Sequence, residues 1–298
     1  MSSATSFLST KNPHPRDAHI HFDEGPHKYT IQGIQGITAE TEFTSVTTLI
    51  HQQFEHFDAK KVIAAMMRNE KKWNDPIANA KYYGKTAEEI EEMWSKAGRE
   101  ASEKGTAMHY KIECFYNTPP PAAAEDTPAD DTPADDTPSE LQYFKNFHNE
   151  HIASPATATL RPYRTEWTVF HEEARIAGSI DMVYEVIDPT TITTDPPTLA
   201  IYDWKRCREI TKTNRANKFA THPAIEHLPD TNYWHYALQL NIYKYILQTK
   251  YDKKITDLYI IVLHPEAQNY QRIKLPDLQS EVADLIMERI HDIHAPRT

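Results

Sequence analysis

The chain has 298 residues, of which 39% are hydrophobic and 25% are charged, and its formal net charge is −11. No apolar run approaches the roughly 18 residues of a membrane span, and the N-terminus lacks the apolar region of a secretory signal, so we expect an intracellular protein, in the cytoplasm or nucleus, with no membrane partner. The two cysteines, Cys114 and Cys207, form no CxxC pair, which argues against a cysteine-based zinc site or an iron–sulfur cluster.

Residues 1–17 are predicted to be a flexible arm, and residues 18–298 a single domain. Residues 19–33 alternate apolar and polar side chains around a turn sequence, which predicts a β-hairpin. Helices are predicted over residues 44–56 and 58–75, and another begins at Thr86, where Glu89 completes a capping box. Residues 18–100 thus form an N-terminal hairpin and a helical region, for which the sequence indicates no chemistry.

Residues 101–116 are predicted to form a helix on which His109 and Glu113, four residues apart, share one face. A low-complexity stretch rich in Pro, Thr and Asp follows over residues 118–139. Its composition cannot bury a core, so we expect a disordered acidic insertion. The stretch from 118 to 140 holds seven acids and no basic residue, and without it the chain would carry −4 rather than −11.

The remaining pattern, residues 101–298, predicts the core of an α/β fold. Alternating or continuous apolar runs predict strands, and a long segment at helical spacing predicts a helix. The predicted strands are residues 164–170, 175–186, 198–205 and 258–263, and the predicted helix is residues 231–249. The order helix, three strands, helix, strand predicts a mixed β-sheet flanked by helices.

Two of these strands bring acidic side chains and a lysine together. Asp203 and Lys205 point to one face of their strand because side chains alternate along it. If this strand pairs with the one that carries Asp181, two carboxylates and an ammonium converge. Carboxylates suit a hard divalent cation such as Mg²⁺ or Mn²⁺, and the main-chain carbonyl of Trp204 is placed to be another ligand. The grouping indicates a metal-dependent nuclease, with Lys205 orienting or activating water.

A basic segment directly follows these residues. Six basic side chains lie between residues 205 and 218, against the single acid Glu209. A local positive field attracts a phosphate backbone even when the net charge is negative. A solvated basic face is the plainer alternative. The residues predicted to contact nucleic acid are Arg206, Arg208, Lys212, Arg215 and Lys218.

Five motifs, in order, resemble the PD-(D/E)XK nuclease superfamily, and in particular its RecB-like exonuclease branch. The pattern is similar to that of the mitochondrial genome maintenance exonuclease and of viral nucleases. The motifs are Ser45-Val46-Thr47, Gly105 with His109 and Glu113, Gly178-Ser179-Ile180-Asp181, Asp203-Trp204-Lys205, and Gln239 with Tyr243. The resemblance covers roughly residues 20–265.

The resemblance implies an αβββαβ restriction-endonuclease-like core and a role for each matched residue. His109, Asp181 and Asp203 would bind one or two Mg²⁺ or Mn²⁺ ions, and Lys205 would be catalytic. Gln239 and Tyr243 would support the site and the nucleic-acid strand. Glu113 and Glu166 are candidate supporting acids, for which structural roles are equally plausible. Some relatives carry a four-cysteine iron–sulfur cluster, which two cysteines cannot build.

Three functions follow as alternatives. The leading one is a DNA exonuclease that acts on single strands or free ends. The second is an endonuclease of the same fold, and the third is a non-catalytic DNA-binding subunit of a replication, repair or recombination complex. Intact Asp181, Asp203 and Lys205 argue against the third. The sequence contains no helicase motif, so any unwinding partner, a helicase or recombination protein, would be a separate chain.

Overall fold

A six-stranded mixed sheet forms the centre of the computed structural model, which describes residues 7–118, 138–154, 156–187 and 196–295. Strands β3, β5, β6, β7 and β8 follow one another across it, and β4 pairs with β5. The β6–β7 pair is parallel and its neighbours on either side are antiparallel, while a separate hairpin, β1–β2, precedes the sheet. The strands are β1 (Ile20–Asp23), β2 (Lys28–Ile31), β3 (Thr44–Ser45), β4 (Leu160–His171), β5 (Ile176–Val186), β6 (Thr198–Lys205), β7 (Lys254–Val262) and β8 (Gln271–Lys274).

Helices cover both faces of this sheet. Alternate residues of β6 serve the two faces, since Leu199 and Ile201 join one apolar cluster while Tyr202 and Trp204 join the other. The first cluster contains apolar residues of α2, α7 and α8, and the second those of α5 and α6. The helices are α1 (Phe7–Lys11), α2 (Val46–His51), α3 (Ala59–Met67), α4 (Glu70–Trp73), α5 (Ala87–Asn117), α6 (Ser139–His148), α7 (Asn232–Lys250) and α8 (Gln279–His294).

The mixed sheet flanked by helices confirms the predicted fold class, including the N-terminal hairpin. The predicted capping box is present, because Thr86 Oγ1 accepts from the Glu89 N–H and Glu89 Oε2 accepts from the Thr86 N–H. The sequence predicted two helices here, one beginning at Thr86 and another over residues 101–116. In the structure they form one 31-residue helix, α5, which runs through both Gly98 and Gly105.

The predicted flexible arm is wrong for residues 7–17. Leu8 is buried in the second apolar cluster, and the Asn12 side chain donates to the Tyr163 carbonyl. Asp17 accepts hydrogen bonds from Arg164 and from the Trp167 indole. These hydrogen bonds join residues more than 140 positions apart, so local composition gives no sign of them. Residues 119–137 of the predicted acidic insertion lie outside the described residues.

No helix among the described residues combines the length and the apolar character needed to cross a membrane.

Candidate active site

The candidate site lies where strands β5 and β6 diverge. Backbone pairing between them ends at Met182 and Tyr202, while β6 continues to Lys205 with β7 as its neighbour. Beyond the last pair, the Trp204 N–H donates to Asp181 Oδ2 at 2.9 Å. The Asp181 carboxylate therefore accepts this hydrogen bond from β6, beyond the point where backbone pairing between the two strands has ended. The fork leaves the side chains of Asp203 and Lys205 beside Asp181.

Asp203 and Lys205 form a buried ion pair, with Asp203 Oδ2 2.7 Å from Lys205 Nζ. Asp203 is 3% exposed, and the Lys205 ammonium lies 4.6 Å from the centre of the Tyr236 ring of α7. Burial, followed by repulsion from Asp181, raises the pKa of Asp203 to about 6. Burial alone would lower the pKa of Lys205, but the charges of Asp203 and Asp181 outweigh it and raise that pKa above its ordinary value. Lys205 is thus held as a cation.

His109 reaches this fork from α5, on the face that also buries Met108 and Ile112. Its Nε2–H donates to the Trp204 carbonyl at 2.8 Å, and its Nδ1 lies 3.5 Å from Asp181 Oδ2. Burial lowers the pKa of His109, but Asp181, Glu166 and Asp203 more than offset this, so the net shift is upward. The structure brings the four predicted ligands to this fork: His109, Asp181, Asp203 and the Trp204 carbonyl. Two of them, the His109 imidazole and the Trp204 carbonyl, are hydrogen-bonded to each other, and Asp203 lies outside the group of ligand atoms described next.

Glu166, predicted only as a supporting acid, lies beside the predicted ligands His109 and Asp181. It lies on β4 between Thr165 and Trp167, which pair with Met182 and Ile180, so it faces Asp181 across the strands. Its φ of +40° is rare for a residue with a side chain, and such strain of about 1–3 kcal/mol concentrates at functional sites. One ligand atom from each of His109, Glu166 and Asp181 lies within 4.8 Å of the others.

The carboxyl group of Glu166 is held by a residue that the sequence did not single out for a role of its own. Ser179 Oγ donates to Glu166 Oε2 at 2.8 Å. Burial, and then the negative charge of Asp181, raises the pKa of Glu166 to about 7. The hydroxyl of Tyr29, from the hairpin, hydrogen-bonds to the Ser179 backbone, and burial followed by the Glu166 charge raises the pKa of Tyr29 to about 12. The sequence signal for Ser179 is its place in the Gly178-Ser179-Ile180-Asp181 motif.

Gln239 and Tyr243 lie on α7 and hold the opposite side of β5. Gln239 hydrogen-bonds to Tyr243, whose pKa is raised by burial and then by neighbouring Tyr29. A Cβ atom at Gly178 would lie only 2.6 Å from the Tyr243 hydroxyl oxygen. Gly178 is therefore required by the close approach of this tyrosine, three residues before Asp181.

A cavity of about 510 Å³ opens beside Glu166 and His109. Its walls come from the hairpin, from α5, and from β4 and β5. Glu113, the other candidate supporting acid, lines this cavity but lies outside the three-residue group. The aromatic and imidazole side chains that line it are Phe22, His27, Tyr29, His109 and Tyr110.

Three of the five basic residues predicted to contact nucleic acid form ion pairs within the chain. Arg206 pairs with Glu140 at 2.6 Å, Arg208 with Glu266 at 3.1 Å, and Lys218 with Glu55 at 2.8 Å. Lys212 Nζ lies 4.5 Å from the centre of the Tyr233 ring, and Arg215 is exposed. The positive field after Lys205 is therefore weaker than the sequence suggests.

Three comparisons with known proteins bear on the family of this chain. No curated protein matches the chain. A crystal structure of SSO0001 is 12% identical, with a TM-score of 0.28, and the match covers 89% of this chain and 82% of that one. The family model of the PD-(D/E)XK nuclease superfamily matches residues 78–298, a superfamily of nuclease hydrolases that generally use divalent metal ions. The predicted resemblance is confirmed at this level, and the chain belongs to the PD-(D/E)XK nuclease superfamily.

Proposed function

We propose that this protein is a Mg²⁺- or Mn²⁺-dependent DNA exonuclease of the RecB-like branch, acting on single-stranded or free-ended DNA. The observation that carries the proposal is the group of His109, Glu166 and Asp181 beside the buried Asp203–Lys205 pair. Burial, and then the charge of Asp181, raises the pKa values of Glu166 and Asp203, and perturbed carboxyl groups of this kind are typical of functional sites.

The donor set fits a divalent ion. His109, Glu166 and Asp181 would hold it, and they offer two carboxylates and an imidazole from half-buried side chains. Oxygen-rich sites favour Mg²⁺ and Mn²⁺, and the imidazole shifts the preference towards Mn²⁺. When bound, such an ion supplies Lewis-acid stabilisation of a phosphoryl oxygen and lowers the pKa of bound water.

The residues of the chain itself supply orientation and charge. Lys205 keeps its proton because Asp203 and Asp181 hold it as a cation, so it serves as a hydrogen-bond donor rather than as a base. A fixed donor can orient water and stabilise the negative charge that develops on the phosphate oxygens. Gln239 and Tyr243 are positioning residues, since Tyr243 fixes the backbone at Gly178 and thereby the strand that carries Asp181.

The preference for ends rests on the cavity beside the site. The hairpin forms one of its walls and presents Phe22 and His27 to it, opposite side chains of α5. Its volume of about 510 Å³ would suit a terminal nucleotide better than a continuous duplex. We also propose that a separate helicase or recombination protein prepares the ends.

The test compares end-labelled single-stranded DNA with a covalently closed circle, each in Mg²⁺, Mn²⁺ or EDTA. The variants are Asp181→Asn and, as a control, Asp284→Asn on the exposed side of α8. We expect metal-dependent loss of the linear strand with the wild type and Asp284→Asn, no loss with Asp181→Asn, and an intact circle. Rapid cutting of the circle would favour the endonuclease. Binding without any loss of DNA would favour the non-catalytic subunit.

A further inference from the structure

Basic side chains are concentrated in residues 60–85, far from Lys205 in sequence. This segment, which we call the α3–α4 surface, has seven basic side chains and two acids, Glu70 and Asp75, a net charge of +5 in a chain of −11. Among the described residues, only Lys61 of the seven forms an ion pair, at 3.7 Å from Glu55. The seven are Lys60, Lys61, Arg68, Lys71, Lys72, Lys81 and Lys85.

The α3–α4 surface is also continuous with the basic segment that follows the active site. Glu55 contacts Lys61 and Lys218, so the end of the 205–218 segment lies beside the start of α3. Lys212 and Arg215, the two cations of that segment without an ion pair among the described residues, precede Lys218. The 205–218 segment therefore leads from the fork of β5 and β6 to the start of α3, with Lys212 and Arg215 as its unpaired cations among the described residues.

Aromatic side chains lie among the lysines of this surface. A cavity of about 400 Å³ is lined by Asn69, Lys72, Trp73, Asn79, Lys81 and Tyr82. Lys81 Nζ lies 5.2 Å from the centre of the Tyr82 ring. The Trp94 indole donates to the Tyr82 hydroxyl at 2.9 Å, which fixes the cavity wall to α5. Cations that track a backbone, together with rings on which bases stack, are the two components of single-strand binding sites.

We infer that the α3–α4 surface is a second nucleic-acid contact, at which a single strand binds through phosphates at Lys72 and Lys81 and a base against Trp73. The inference rests on the proposed function, because the strand held there would be the one whose end reaches His109. Trp94 and His109 are 15 residues apart on α5, which corresponds to about 22 Å along the helix. The contact would thus act several nucleotides away from the cleavage site.

The test measures binding of the full-length protein to a fluorescent 16-nucleotide DNA in EDTA, over a range of salt concentrations. The variant is Lys72→Ala/Lys81→Ala. The control is Lys145→Ala/Lys254→Ala, which removes two exposed lysines that form no ion pair among the described residues. We expect the slope of log affinity against log salt to fall by about 1.4 in the first variant, since each lost phosphate contact on a single strand accounts for about 0.7. The control should keep the wild-type slope.

Trp73 gives a second, charge-independent readout. We expect Trp73→Ala to weaken binding at least about fivefold, as loss of base stacking does, and Trp73→Phe to retain most of the affinity. Equal thermal unfolding of the two variants would show that the loss does not come from misfolding. Unchanged binding in Trp73→Ala and in Lys72→Ala/Lys81→Ala would overturn the inference. Displacement of the DNA by polyglutamate at equal charge would also overturn it, in favour of an acidic protein partner.

A short substrate separates this inference from the proposed function. A dinucleotide reaches the active site but cannot span the distance to Trp73, so Lys72→Ala/Lys81→Ala should cleave it at the wild-type rate while it degrades long strands more slowly. If the wild type cleaves nothing, the proposed function fails, yet the binding measurements in EDTA still decide whether the α3–α4 surface holds a strand. Equal slowing on the dinucleotide and the long strand would contradict the second contact.

Discussion

The hydrogen bond from the Trp204 N–H to Asp181 Oδ2 connects β6 to β5 just beyond their last backbone pair. It fixes Asp181 relative to the strand that carries both Asp203 and Lys205. The sheet thereby sets the positions of three charged groups before any ligand binds. His109 and Glu166 then approach this framework from a helix and from a neighbouring strand, so five side chains meet although they come from four elements.

Removing the ammonium of Lys205 should affect activity and stability separately. In Lys205→Ala, Asp203 stays buried beside Asp181 without its cation, which should lower the free energy of unfolding by about 3–5 kcal/mol. We expect activity on DNA to fall by about 10²- to 10³-fold, because a fixed donor is lost from the site. Asp203→Asn/Lys205→Met removes both charges and should recover much of the stability while remaining inactive. Urea unfolding and a DNA cleavage assay measure the two effects, and a fully active Lys205→Ala would contradict the assignment.

Glu166→Gln should weaken metal binding more than it changes the fold. The amide keeps an acceptor for Ser179 but removes one carboxylate from the group with His109 and Asp181. We expect the Mn²⁺ concentration for half-maximal activity, and the Kd from calorimetry, to rise about 10- to 100-fold, a magnitude typical of perturbed metal sites. Glu113→Gln, in the same cavity but outside the group, is the matched control. An equal rise in both variants would show that general cavity charge, rather than Glu166 ligation, matters.

Gly178→Ala should destabilise the protein through a specific clash. The added methyl would lie 2.6 Å from the Tyr243 hydroxyl oxygen and 2.8 Å from Cε1 of its ring. We expect a loss of about 1–3 kcal/mol in the free energy of unfolding, as for other overpacked cores. The same substitution should cost less in a Tyr243→Leu background, because the ring is absent there. A double-mutant cycle in urea checks this, and strict additivity would show that the two residues do not compete for the space.

His171 should make stability depend on acid. Burial, and then the positive charge of Lys250, lowers the pKa of His171 to about 4, and its Nδ1 accepts from the Ala174 N–H. Between pH 6.5 and 4 the unfolded chain therefore binds a proton that the folded chain does not, so stability falls as the pH falls through this window. The loss amounts to about 3 kcal/mol at its limit.

His171→Gln removes this titration, so the free energy of unfolding of the variant should depend less on pH between 4 and 6.5 than that of the wild type. The measurement is the free energy of unfolding in urea between pH 4 and 7, for the wild type and the variant. Other groups titrate in both proteins, so only the difference between the two curves bears on His171. A difference that does not change with pH would contradict the expectation.

The fold class and the arrangement of Asp203 and Lys205 were predictable from the sequence, because both depend on residues that are close together along the chain. The alternation of β6 places Tyr202 and Trp204 in the second apolar cluster, as the strand period requires. The central position of Glu166 depends on a left-handed backbone at one residue of β4, which no local pattern encodes. The ion pair between Arg206 and Glu140 joins residues 66 positions apart, and so the basic segment looked more available than it is.

Helix α5 carries Trp94 near one end and His109 near the other, and it is continuous over the interval between them. If the regions around Trp94 and His109 bind the same DNA strand, α5 sets the length of DNA between the two contacts. A strand longer than the interval stays attached at one point while it is shortened at the other, so it is degraded without release. Once the remainder is shorter than about 22 Å, the second attachment is lost, and digestion should become distributive and leave oligonucleotides of a defined minimum length.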